Sequence, residues 1–246
     1  MINVIKVKDY EEASDKAFEI MKSYLKPGKV LGLATGSTPL GLYARMVKDH
    51  KENNTSYKEI KSFNLDEYVG LPIEHPESYY AFMHRNLFDH IDIDDNNAHV
   101  PCGLGDDLEK NCREYDEMID NDPIDIQILG IGSDGHIAFN EPGTAFDSKT
   151  HVTDLHQSTI SDNARFFDND ISKVPTQAVT QGIGTIMKAK NILLIATGSN
   201  KAKAVKDMIE GPIDEACPAS ILQNHQDVIV IVDEAAASLL SWSILL

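Results

Sequence analysis

Short apolar runs rich in β-branched residues alternate along this chain with stretches whose apolar residues recur at helical spacing. Val30–Ala34, Ile60–Leu65, Ile124–Leu129, Ile192–Ala196 and Val228–Val232 read as buried strands. Between them, Tyr10–Leu25 places Ala13, Ala17, Phe18, Met21, Tyr24 and Leu25 on one helical face. Leu40–His50, Ser78–Phe88, Leu108–Asp120 and Asn200–Ile209 read as further helices. Near-continuous apolar strands flanked by amphipathic helices predict an α/β fold, a mostly parallel sheet covered on both faces. No repeat and no Gly/Ser- or Pro-rich linker interrupts the pattern, so residues 1–246 read as a single domain. Ligands of such sheets sit outside the carboxyl ends of the strands, which makes the residues after each strand the candidates for chemistry.

After the Val30 strand comes Thr35-Gly36-Ser37-Thr38-Pro39 and then a helix. Gly36 lets backbone approach a ligand, Ser37 and Thr38 offer hydroxyls, Pro39 suits the first helical position, and the free helix N–H groups favour an anion. The competing reading is an ordinary turn capped by Thr38. The pattern returns after the Ile192 strand as Thr197-Gly198-Ser199-Asn200-Lys201, with a cation in the first helical turn, where the helix dipole disfavours it. A bound anion would offset that conflict, and two such turns on one sheet point to a phosphate site. After the Ile60 strand, Asp66-Glu67 are either a general base with its electrostatic partner or a cap of the next turn.

The densest stretch is Gly130-Ile131-Gly132-Ser133-Asp134-Gly135-His136-Ile137-Ala138-Phe139-Asn140-Glu141-Pro142-Gly143. Its opening matches G-x-G-x-x-G, but a dinucleotide fingerprint needs a helix directly after it, and Pro142-Gly143 leave little room for one. What remains is His136 among the carboxylates Asp134 and Glu141, suited to moving protons near neutral pH. The alternatives are a surface histidine or a metal site, though one histidine and two carboxylates lack the spacing of a zinc site. Arg165, between Asn163-Ala164 and Phe166-Phe167, reads by itself as a structural cation with its stem packed on an aromatic ring.

Composition narrows the partners. Net charge is −17, from 22 basic and 39 acidic residues. Nucleic-acid binding needs phosphates neutralised by Lys and Arg, so a nucleic-acid partner is excluded, and an anionic membrane surface is disfavoured. Most of the excess lies in Asp89–Asp125, where thirteen acids meet two bases, Lys110 and Arg113, as expected of a solvated acidic face. Three cysteines without metal or redox spacing, and no visible signal peptide, predict a cytoplasmic protein with reduced thiols. The apolar stretch Ala235–Leu246 is about half the length a membrane span needs and reads as a helix docked on the core.

Asn64-Leu65-Asp66-Glu67-Tyr68-Val69-Gly70-Leu71, Ser78-Tyr79-Tyr80, Gly132–Pro142 and Arg165-Phe166-Phe167 together resemble the glucosamine-6-phosphate deaminase family, from about Lys29 to Asp233. The resemblance implies a modified doubly wound, Rossmann-like sheet. It implies an enzyme that turns D-glucosamine 6-phosphate and water into D-fructose 6-phosphate and ammonium in amino sugar catabolism. This is a hydrolase acting on an amino sugar phosphate by aldose–ketose isomerisation, without metal or organic cofactor. By motif position, Asp66 would move a proton between C2 and C1. His136, oriented by Asp134 and Glu141, would open the sugar ring. Gly36, Ser37, Thr38, Arg165 and Lys201 would hold the phosphate. Regulated members carry basic residues where this chain reads Thr150-His151-Val152-Thr153-Asp154, so hyperbolic kinetics without allosteric activation are expected. Whether the chain is a monomer or a homo-oligomer is left open. Two rivals are a 6-phosphogluconolactonase-like hydrolase, against which stand the Asp66 motif and Asn140-Glu141-Pro142, and a non-catalytic sugar-phosphate sensor.

Overall fold

In the computed structural model, which describes residues 2–241, the chain folds in the order β1 (Ile2–Val7), α1 (Tyr10–Met21), β2 (Val30–Leu33), α2 (Leu40–Asn53), β3 (Lys61–Asn64), β4 (Asp66–Tyr68), α3 (Tyr79–Asn86), β5 (Ala98–His99), α4 (Leu108–Asn121), β6 (Ile126–Leu129), β7 (His151–Asp154), α5 (Gln157–Asn163), β8 (Gln177–Thr180), α6 (Ile183–Ile186), β9 (Ile192–Ala196), α7 (Ala202–Glu210) and β10 (Val228–Asp233). Seven strands form a sheet in the order β1-β10-β9-β6-β2-β3-β5, with parallel pairing throughout. From β2 the chain steps one way through β3 to β5; from β6 it steps the other way through β9 to β10. The reversal falls between β2 and β6, where a doubly wound sheet opens its ligand crevice.

Burial explains the element types. β2, β6 and β9 are buried along their whole length, as strands covered on both faces must be, whereas β1, at the edge, is mostly half-exposed. α1 starts at Asp9, whose side chain accepts from the Glu12 N–H, and buries Ala13, Ala17 and Met21 at four-residue spacing. α4 starts at Asp107 and buries Cys112, Tyr115, Asp116 and Ile119. Most of its other carboxylates face outward, which accounts for much of the acidic run. Asp116 is an exception, accepting from Thr150 N at 3.1 Å, Thr150 Oγ1 at 2.6 Å and Thr185 Oγ1 at 2.8 Å.

Three features depart from the sequence reading. A second sheet, β4-β8-β7, is antiparallel and was not apparent along the chain. It covers a satellite core of Tyr68, Phe139, Leu155, Ile160, Ala164, Phe167, Val174 and Ala178. β1 was also missed; its partner β10 lies at the far end of the chain. The expected helix at Ala235–Leu246 does not form where it is described. Residues 234–239 are successive turns that still bury Ala236 and Ala237, Leu240 after them is buried too, and Ala236 N donates to Asp233 Oδ1 at 2.7 Å. The remainder of that stretch, from Trp242, lies outside the described residues. No described helix is long and apolar enough to cross a membrane.

Candidate active site

A cleft of about 290 Å³ opens at the carboxyl ends of β2, β3, β6 and β9. Ala34, Thr35, Gly36 and Thr38 come from the β2–α2 turn, Asp66 from β4 directly after β3, Gly130 to Ser133 and His136 from the loop after β6, and Asn200 and Lys201 from the turn after β9. Thr159, Asn163 and Arg165, from α5 and the turn after it, close the remaining side.

At one end of the cleft the Thr35–Pro39 turn leads into α2. Gly36 has φ +86°, a conformation that suits glycine. Pro39 occupies the cap position, and no side chain caps α2; Thr38 does not serve as its cap. Instead the Tyr10 hydroxyl accepts from Gly41 N at 2.8 Å and donates to Ser37 O at 2.9 Å, fixing the turn from outside. Ser37 lies on an adjoining groove shared with Thr38, Arg165, Thr197, Asn200 and Lys201. Lys201 sits at the N-terminal end of α7, as the sequence suggests. Arg165 stacks its guanidinium 4.7 Å over the Phe166 ring while lining the cleft, so its aromatic packing and a ligand-facing position coexist. Two βα turns and two cations thus converge on one place.

His136 lies on the floor. Its Nδ1 stands 2.8 Å from Asp134 Oδ1 and 3.4 Å from Glu141 Oε2, so both carboxylates address one ring nitrogen and leave Nε2 for the cleft. Gly132 allows this, because a Cβ there would lie 2.3 Å from the imidazole. The loop also turns back on itself through Gly132 N to His136 O at 2.9 Å, and no helix follows Gly135. Burial alone would lower the His136 pKa; the hydrogen bonds and charges of Asp134 and Glu141 overcome it and hold the ring at about 9. Asp134, bonded to that imidazolium, is held well below the usual carboxylate range.

Glu141 is 6% exposed and is gripped from the covering segment as well: Thr159 Oγ1 donates to Oε1 at 3.0 Å, and His156 Nδ1 lies 3.5 Å from Oε2. Asp134, Glu141 and His156 bring carboxylate and imidazole atoms within 4.8 Å of one another. The imidazolium of His136 already supplies positive charge between the two carboxylates. Neither Thr159 nor His156 stood out in the sequence, since nothing in Gln157–Asn163 marks which residues face Glu141.

Asp66 is 7% exposed and lines the cleft. Burial pushes its pKa up to about 7; the Thr180 hydroxyl, the Phe139 N–H and the charge of His136 oppose the shift, and Glu67 adds to it. Glu67 acts on Asp66 through its charge and is itself held elsewhere. Its side chain accepts from Tyr68 N at 2.8 Å, Tyr79 N at 2.9 Å and Tyr80 N at 2.9 Å, tying β4 to the start of α3. Glu67→Ala would leave three amides without their acceptor, and a loss of about 2–4 kcal/mol is expected in denaturant titration. A loss under about 0.5 kcal/mol would show that water replaces the carboxylate.

The chain can be compared with known proteins. A family model described as glucosamine-6-phosphate isomerases/6-phosphogluconolactonase matches residues 11–231. A glucosamine-6-phosphate deaminase of Streptococcus uberis is 54% identical over 238 residues, 96% of this chain and 99% of that one. A solved monomeric glucosamine-6-phosphate deaminase is 46% identical with a TM-score of 0.93, covering 96% of this chain and 99% of that one. The 6-phosphogluconolactonase of Trypanosoma brucei superposes with a TM-score of 0.80 at 20% identity over 98% of this chain and 99% of that one, a likeness of fold.

Proposed function

Since this chain belongs to the glucosamine-6-phosphate isomerase/6-phosphogluconolactonase family, we propose that its cleft converts D-glucosamine 6-phosphate and water into D-fructose 6-phosphate and ammonium. One observation carries the reading: a carboxyl poised at about 7 and an imidazolium backed by two carboxylates line the same cleft as Thr35, Gly36 and Thr38 of the first Thr-Gly-Ser turn, Asn200 and Lys201 after the second, and Arg165.

The phosphate rests against Gly36 and Thr38, with Ser37 on the adjoining groove, and Arg165 and Lys201 neutralise its charge. Anchored there, the sugar presents its anomeric end to His136 and Asp66, so binding energy from the unreactive phosphate positions the reacting carbons. His136 gives its proton to the ring oxygen and takes one back from the anomeric hydroxyl, opening the pyranose to the aldehyde. Asp134 and Glu141 keep the ring charged and oriented for that transfer. Asp66 then removes the C2 proton, giving an enolamine, and returns a proton to C1. The resulting C2 imine takes up water and expels ammonia, which leaves as ammonium. A general base works best with a pKa near the working pH, and burial brings Asp66 there.

A lactonase needs water delivered to an ester carbonyl and has no use for a base between C1 and C2. A sensor needs neither Asp66 nor the His136 set. The test is direct: purified, folded protein incubated with glucosamine 6-phosphate should release ammonium and form fructose 6-phosphate in equal amounts. Absence of both products from folded protein would refute the reading.

A further inference from the structure

Asp66 and Thr180 face each other across the antiparallel pair of β4 and β8. The Thr180 hydroxyl donates to Asp66 Oδ1 at 2.5 Å, and its oxygen is the acceptor for Phe139 N at 3.1 Å. Thr180 is fully buried. We propose that Thr180 is a positioning residue for the base: its hydroxyl fixes one carboxylate oxygen of Asp66, leaves the other for the C2 proton, and favours the ionised form of the carboxylate.

The argument is one of proton counting. A threonine hydroxyl has one proton to give. The Phe139 N–H occupies its acceptor side, which directs that proton to Asp66. Such a bond to an ionised carboxylate favours the charged form, against a burial that disfavours it. Rotation of Asp66 would break the bond and strand a buried hydroxyl, so the same contact sets the plane of the carboxylate. The small second sheet supplies the geometry: neighbouring β8 places Thr180 in register, while the loop bearing His136 delivers the Phe139 N–H. The other titratable groups acting on or sensing Asp66 are His136, Glu67 and the buried phenols of Tyr68, Tyr79 and Tyr115. Among them His136 favours ionisation and Glu67 opposes it.

This inference rests on the deaminase reading, and its test separates the two. Thr180→Val keeps the shape and removes the hydroxyl; Thr180→Ser keeps the hydroxyl. For Thr180→Val, kcat/KM relative to the wild type is expected to fall about tenfold at pH 6 and to stay within about twofold at pH 9, because the acid limb moves up by about one pH unit. Free-substrate ionisations cancel in that ratio. Thr180→Ser should follow the wild-type profile. A loss equal at all pH values, or one that serine does not rescue, would overturn the proposal. The Asp66 carboxyl carbon, titrated by NMR in wild type and Thr180→Ser, gives a readout without turnover, with Thr180→Ala replacing Thr180→Val should the latter not fold. An alanine titration matching the wild type would also overturn it. If the wild type releases no ammonium while these titrations differ as expected, the deaminase reading fails and the role of Thr180 stands.

Discussion

Asp66→Asn is expected to abolish exchange of the C2 proton of glucosamine 6-phosphate with solvent and, at the same time, to make the protein more stable in alkaline solution. The first effect follows if Asp66 is the base proposed above, and a loss of at least about a thousandfold in turnover is expected, consistent with a general-base contribution of about 10²–10⁴. The second follows from burial. Asp66 has its pKa raised from 3.8 to about 7 in the folded protein. A group raised on folding contributes its stability below its unfolded value, and loses it as pH climbs through the folded value. Above pH 7 the ionised carboxylate therefore costs the fold about 4 kcal/mol, an order-of-magnitude figure from the difference in pKa. Asparagine removes that cost while it still accepts from Thr180. The melting temperature of Asp66→Asn should exceed that of the wild type at pH 9, and the gap should close toward pH 5. Equal melting temperatures at pH 9 would mean that the carboxylate is solvated in the folded protein. Binding of the sugar phosphate should survive, because the anchor proposed for it, the Thr35–Pro39 turn with Arg165 and Lys201, does not include Asp66.

The second large effect is expected from Asp134→Asn. The hydrogen bond and charge of Asp134 are the largest influences holding His136 charged against its own burial. Without them the pKa should fall from about 9 toward or below its ordinary value. The wild type should be most active between the Asp66 ionisation near 7 and the His136 ionisation near 9, and the variant closes that window from the alkaline side. Activity at pH 8.5 should drop by at least about tenfold, and the alkaline limb of the pH–rate profile should move down by more than about one pH unit. Stability has the same sign of pH dependence: His136, raised on folding, stabilises fully below about 6.5 and ceases to do so as pH passes about 9. Asp134→Asn should accordingly lower the melting temperature more at pH 6 than at pH 10. A histidine NMR titration that leaves His136 near 9 in the variant would assign the shift to Glu141 alone.

What the chain discloses by itself divides along the line between local and distant causes. β2, β6 and β9 are apolar runs read correctly within a residue or two, and α1, α2 and α4 carry their own periodicity and terminal signals. The site residues are legible for the same reason: Thr35–Pro39, Asp66, Gly130–Glu141 and Thr197–Lys201 each follow a strand, and strand ends are where a parallel sheet puts its ligands. The second sheet was invisible because its strands are only three or four residues long and separated widely in sequence; Asp66 meets Thr180 more than a hundred residues on. Thr180 ends Gln177-Ala178-Val179-Thr180, a short run whose polar end gives no hint of a partner. Glu67, next to Asp66, acts on it only through its charge, since successive strand residues point to opposite faces and its side chain holds the amides of Tyr68, Tyr79 and Tyr80. The apolar stretch from Ala235 shows that hydrophobicity fixes burial and not helicity.

The pairing of β1 with β10 sets an order on how this molecule is made. Ile2–Val7 leaves the ribosome long before its neighbour in the sheet, Val228–Asp233, is made. Until then that strand has no partner in the sheet, and its unpaired edge is exposed to other chains. The β2–β3–β5 half has its neighbours close behind it and can assemble as it emerges, whereas the β1 edge closes only when the rest of the sheet stands ready. Contacts between such distant segments slow folding. β1 is therefore the part of this sheet that most needs shielding in a nascent chain, and the last whose amide protons should become protected during refolding.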